Sequence, residues 1–155
     1  MTKTTTNLVR RIIVPIDFSV ISENALGHAV SLAKAWNAEL LLLHVFEPPA
    51  LDLPEGLITG LADANERVLR SAEDALASAV AMRSDEGVPM ETLVKQGVPW
   101  RVIVETAGER EGTLVVMSTH GRTGLARALM GSVAEKVVRM APCPVLTVPG
   151  PRGEI

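Results

Sequence analysis

Short apolar runs alternate along this chain with longer segments in which apolar residues recur at helical spacing. The apolar runs predict five strands, at 12–16, 39–46, 88–95, 113–117 and 145–148. The intervening segments predict four helices: one after Ser22 as a plausible N-cap, one at about 58–83, a short one with Pro99 in its first turn, and one at 132–140. Strict alternation of strand and helix predicts one parallel sheet with right-handed crossovers and helices on both faces.

Composition supports this α/β class. The chain has 155 residues, of which 47% are apolar but only 3% aromatic, so the core must consist of Val, Leu, Ile and Ala. Such residues suit a parallel sheet that is buried on both faces. The length indicates one domain, and the pattern shows neither an internal repeat nor a linker.

The charge distribution favours a small anionic ligand. The net charge of −3 argues against a nucleic-acid partner. Residues 120–140 nevertheless carry four basic side chains and a single acidic one. Residues 1–10 have no apolar core of signal-peptide length, and no apolar run approaches the roughly 20 residues of a membrane span. We therefore expect a cytoplasmic protein without membrane insertion.

The most informative segment is the one that follows the fourth predicted strand. A loop punctuated by Gly121 and Gly124 leads to Gly131-Ser132 at the start of a helix. Free backbone N–H groups and the positive end of a helix dipole favour binding of a phosphate there. Two other interpretations need no ligand: the glycines serve as ordinary turn residues, and Ser132 with Glu135 forms a capping box.

Other chemistry is either ambiguous or disfavoured. Asp17, at the end of the first strand, could hold a ribose hydroxyl or form an Asx turn. His120 and Arg122 could contact phosphate, brace the loop or be solvated. A Walker loop and a dinucleotide fingerprint are both absent, and neither metal-ligand spacing nor a nucleophile arrangement is present in the sequence.

Several motifs in order make the chain resemble the universal stress protein family. They are Ile13-Val14-Pro15-Ile16-Asp17-Phe18-Ser19, Leu42-Leu43-His44-Val45, Met117-Ser118-Thr119-His120-Gly121-Arg122-Thr123-Gly124-Leu125, Gly131-Ser132-Val133-Ala134-Glu135 and Ala141-Pro142-Cys143-Pro144-Val145-Leu146. The resemblance implies a single doubly wound domain at 11–149, with flexible termini at 1–10 and 150–155. It further implies a five-stranded parallel sheet in the order 3-2-1-4-5 and a homodimer formed through the last strand, Val145–Val148.

Members of that family either bind ATP or do not, and this chain nearly matches the ATP-binding pattern. Two glycines of the pattern fall on Gly121 and Gly131, but Ser118 replaces the first glycine. The resemblance implies a nucleotide site composed of Pro15, Ile16, Asp17, Val45, Met117, Ser118, His120, Gly121, Arg122, Thr123, Gly124, Gly131, Ser132 and Val133. We expect ATP with Mg²⁺ on its phosphates, a stress-response signalling role with a possible protein partner, and no rapid hydrolysis. The alternative is a nucleotide-free dimeric interaction module.

Overall fold

The structure, a computed structural model, describes residues 8–48, 58–120 and 130–150. Five parallel strands form one sheet in the order β3-β2-β1-β4-β5. The strands are β1 (Arg11–Pro15), β2 (Glu39–Phe46), β3 (Met90–Gln96), β4 (Thr113–Ser118) and β5 (Val145–Val148). The predicted fold class and strand order are confirmed.

Within these described ranges, four α-helices lie between the strands. They are α1 (Val20–Trp36), α2 (Ile58–Ala81), α3 (Pro99–Gly108) and α4 (Ser132–Met140), and a short 3₁₀ turn (Ser84–Glu86) follows α2. Pro99 opens α3 as predicted, where its missing N–H costs no helical hydrogen bond. Asn37, in the left-handed conformation, ends α1.

Each face of the sheet has its own apolar core. Helices α1 and α2 cover one face, where Leu26 and Leu76 pack with Ile12 and Val116. Helices α3 and α4 cover the other, where Ile103 and Val137 belong to the same cluster as Ile13, Leu41 and Val115. Because side chains alternate along each strand, neighbouring residues of β1 and β4 serve opposite cores.

Some element bounds and caps differ from the prediction. β1 begins and ends one residue earlier, β3 begins at Met90, and α2 ends at Ala81. The N-cap of α1 is Ser19 rather than Ser22: the Ser19 hydroxyl accepts a hydrogen bond from the Ser22 backbone N–H at 3.2 Å. The prediction of Ser22 was wrong because its own side chain is buried and bonds back to the Ser19 carbonyl oxygen.

Within the described ranges, none of the helices has both the length and the apolar character required to cross a membrane. The expected flexibility of residues 1–7 and 151–155 falls outside the described residues.

Candidate functional site

A cavity of about 250 Å³ opens at the carboxyl ends of β1 and β4. These strands are neighbours at the centre of the sheet, where the chain reverses its direction of winding. Ligands of open α/β sheets bind at such a switch point, beyond the strand ends. The described lining comes from the β1–α1 turn, the end of β2, the start of α3, the end of β4 and the start of α4.

The β1–α1 turn brings a carboxylate to the cavity. Asp17 lines it, and its Oδ1 accepts hydrogen bonds from the Ser19 backbone N–H (3.0 Å) and hydroxyl (2.5 Å). The Asx turn proposed from the sequence is therefore present. Because Ser19 in turn caps α1, this one carboxylate oxygen fixes both the turn and the helix start.

Phe18, between these two residues, adopts a left-handed conformation with φ of 63°. That conformation costs a non-glycine residue roughly 1–2 kcal/mol, and such strain concentrates at functional sites. The Phe18 ring lies against the His44 ring, with centroids 4.6 Å apart. His44 Nδ1 donates a hydrogen bond of 2.7 Å to the Ile16 carbonyl oxygen, so β2 supports the backbone immediately before Asp17.

The end of β4 adds Ser118, Thr119 and His120 to the cavity lining. The Ser118 hydroxyl donates to the His120 carbonyl oxygen at 2.8 Å, and a 2.9 Å hydrogen bond joins Thr119 Oγ1 to His120 Nδ1. His120 Nε2 is buried and has no hydrogen-bond partner among the described residues. Such orphaned polar atoms are rare in proteins and require an explanation.

The start of α4 completes the cavity. Gly131, not Ser132, is the N-cap of α4, so the capping box considered as one interpretation of Ser132 is not formed. The Gly131 N–H donates to the Thr119 carbonyl oxygen at 2.7 Å. A Cβ on Gly131 would lie 3.2 Å from that oxygen, which explains why glycine suits this position.

The structure brings most of the predicted site residues around this cavity. Those that line it are Pro15, Ile16, Asp17, Val45, Met117, Ser118, His120, Gly131, Ser132 and Val133. Gly121, Arg122, Thr123 and Gly124 lie outside the described residues.

Sequence reasoning missed six further lining residues, which are Ser22, Leu43, Pro99, Ile103, Thr119 and Ala134. Leu43 was predictable, since it shares a face of β2 with Val45, and Thr119 was predictable from its place beside His120. Nothing in the sequence pattern indicates that the first turn of α3 reaches the cavity.

The fold and the cavity define a doubly wound α/β protein with a cavity at its switch point. The chain belongs to the universal stress protein family, whose model matches residues 9–149. It is 39% identical over 150 residues to the universal stress protein MJ0531 of Methanocaldococcus jannaschii, covering 96% of this chain and 86% of that protein.

Solved structures are also similar to this chain. Universal stress protein UspA from Lactobacillus plantarum superimposes with a TM-score of 0.80 at 26% identity, covering 90% of this chain and 97% of that one. A second universal stress protein, crystallised in complex with cAMP, has a TM-score of 0.61 at 27% identity, covering 93% and 99%. At least one structural relative therefore binds an adenine nucleotide.

Proposed function

We propose that this chain binds ATP in the cavity between the β1–α1 turn and the start of α4, and acts as a nucleotide-dependent module in stress-response signalling. The observation that carries the proposal is the buried, unpartnered Nε2 of His120 in the cavity wall. A buried polar atom without a partner costs roughly 1–3 kcal/mol, and a polar ligand in the cavity removes that cost.

The polarity of the two walls suits a nucleotide. The carboxylate of Asp17 on one wall is an acceptor for ribose hydroxyls. On the other wall, the amino-terminal end of α4 at Ser132 and Val133 offers N–H groups and a positive dipole end to phosphate. Val45 at the end of β2 would face the adenine, and Gly121, Arg122, Thr123 and Gly124 would complete the phosphate contacts. The complex of a relative with cAMP supports this class of ligand.

Magnesium would accompany ATP through its phosphates. In the described part of the chain, no three His, Cys, Asp or Glu side chains cluster as a metal site. Mg²⁺ commonly binds nucleotide phosphates and water with few protein ligands, so this donor set fits a phosphate-held ion. We do not propose rapid hydrolysis, because in this proposal Asp17 binds the ribose and no general base is assigned to the terminal phosphate.

We further propose that the cytoplasmic form is a homodimer joined through β5, which lies at an edge of the sheet. Pairing across a two-fold axis would satisfy the outward backbone groups of Val145–Val148. A bound nucleotide would then be sensed by a protein partner through the surface around the cavity.

Titration calorimetry with ATP tests the proposal on nucleotide-stripped protein and two variants of His120. We expect saturable binding, and we expect His120→Asn to weaken it at least about tenfold, the value of one hydrogen bond to a charged group. Asparagine can still bond to Thr119 but does not reach the Nε2 position. His120→Gln, whose amide reaches that position, should retain most of the affinity.

A wild-type protein that gives neither heat nor thermal shift at millimolar ATP and Mg²⁺ would contradict ATP binding. That result would favour the second candidate, a nucleotide-free interaction module of the same fold. The observation on its side is Ser118, which places a side chain where the ATP-binding pattern has glycine.

A further inference from the structure

The replacement of the first motif glycine by Ser118 gives this cavity a feature that the glycine pattern lacks. Ser118 is the last residue of β4 and lines the cavity. Its backbone is not in the left-handed region, where among the described residues other than glycine only Phe18 and Asn37 are found. The serine is therefore accommodated without backbone strain, and its effect on a ligand depends on its side chain.

The hydrogen bond of Ser118 determines what that side chain can offer. A serine hydroxyl has one proton to donate and two lone pairs that accept. The proton is committed to the His120 carbonyl oxygen at 2.8 Å. The oxygen is thereby left as an acceptor only, which attracts a hydroxyl donor and repels a phosphate oxygen.

Ser118 and Asp17 stand at the ends of neighbouring strands. β1 pairs with β4 in a register that joins Ile13 to Val115, and continuing it would set Ile16 opposite Ser118. Both side chains line the same cavity. These two acceptors, with His120 Nε2 and the α4 amino terminus available as donors to the same cavity, match the polarity of a sugar phosphate.

We infer that Ser118 is a specificity-determining residue whose hydroxyl oxygen accepts a hydrogen bond from a ribose hydroxyl, so that the site selects ribonucleotides over deoxyribonucleotides. This inference rests on the proposed nucleotide function. The serine thus adds a contact that a glycine at this position could not make.

The test compares the affinities of ATP, 2′-deoxy-ATP and 3′-deoxy-ATP for the wild-type protein and Ser118→Ala. We expect the wild type to prefer ATP over at least one deoxynucleotide, and Ser118→Ala to reduce that preference about three- to tenfold, as loss of one neutral hydrogen bond implies. The preference is a ratio, so a general loosening of the loop in the variant, which weakens every nucleotide alike, does not change it.

Two further variants separate the contact from simple occupation of space. Ser132→Ala, on the phosphate side, should lower the affinity for all three nucleotides by the same factor and leave the ratio of affinities unchanged. Ser118→Gly should lower the ratio as Ser118→Ala does. An unchanged ratio of affinities in Ser118→Ala would overturn the inference while leaving ATP binding intact. So would a Ser118→Gly variant whose affinity for all three nucleotides rises by the same factor. A wild-type protein that binds none of them would overturn both proposals.

Discussion

Three buried side-chain nitrogens have no hydrogen-bond partner among the described residues: Nε and Nη1 of Arg11, and Nε2 of His120. The two residues lie at opposite ends of the parallel strands: Arg11 is the first residue of β1, whereas His120 follows the carboxyl end of β4. His120 lines the cavity, and under the proposed function a bound ligand would satisfy its Nε2. Arg11 is only 6% exposed and begins its strand, far from the carboxyl ends and the cavity. The desolvation of its unpartnered nitrogens therefore lowers the stability of the folded protein.

This difference predicts that Arg11→Met will stabilise the protein. Methionine keeps much of the volume of the buried stem and removes the two buried nitrogens that have no partner among the described residues, a change that is often neutral or stabilising. We expect the free energy of unfolding to rise by about 1 kcal/mol in urea titrations. Arg10→Met, at the exposed neighbour, should change it by less than about 0.5 kcal/mol. A clear loss of stability in Arg11→Met would show that the guanidinium has a stabilising partner.

At the scale of elements, local sequence predicted which segments form strands and helices better than it predicted where they start. β2, α4 and β5 have the predicted bounds, since breaks in the apolar pattern and nearby prolines mark their ends. For α1 the chain offers two serines three residues apart, and local spacing does not distinguish them. The local Asx turn of Asp17 anchors Ser19, and the core buries Ser22, so Ser19 is the cap. The same ambiguity between Gly131 and Ser132 led to the wrong cap for α4.

A glycine inside α1 and the glycine that caps α4 give a prediction at this scale. Gly27 lies in α1, exposed, and a Cβ there would meet no atom within 4 Å. Gly27→Ala should therefore stabilise the protein by about 0.5–1 kcal/mol through helix propensity. Gly131→Ala should instead destabilise it by about 1 kcal/mol, because alanine caps helices poorly and its Cβ would press on the Thr119 carbonyl oxygen. Equal effects of the two changes in chemical denaturation would contradict this account.

At the scale of the whole molecule, the alternation of elements determined more of the site than any single motif did. Parallel strands bring their carboxyl ends to one edge, so Asp17, Val45 and Ser118 meet although they are far apart in sequence. The contribution of Pro99 and Ile103 was not predictable, because it depends on how far the crossover carries α3 over the strand ends. Whether the assembled residues bind a nucleotide remains a prediction.

Dimerisation through β5 is also tested at this scale. The carbonyl oxygens of Pro144 and Val148 accept hydrogen bonds from the β4 side. Because alternate residues of a parallel strand bond to the same neighbouring strand, the backbone N–H and C=O of Thr147 point to the side away from β4. Thr147→Pro removes that outward N–H and should produce a monomer in sedimentation measurements, whereas Thr147→Val should stay dimeric. A wild-type protein that sediments as a monomer at micromolar concentration would contradict a β5-mediated dimer.

The location of the nucleotide is the central claim, and NMR measures it most directly. In ¹H–¹⁵N correlation spectra of the stripped protein titrated with ATP and Mg²⁺, we expect the largest amide shifts at Asp17, Val45, Ser118, His120 and Ser132. Amides at the amino-terminal ends of the strands, such as those of Arg11 and Glu39, should change little. Shifts that saturate elsewhere on the molecule, or no shifts at millimolar ATP, would contradict the account.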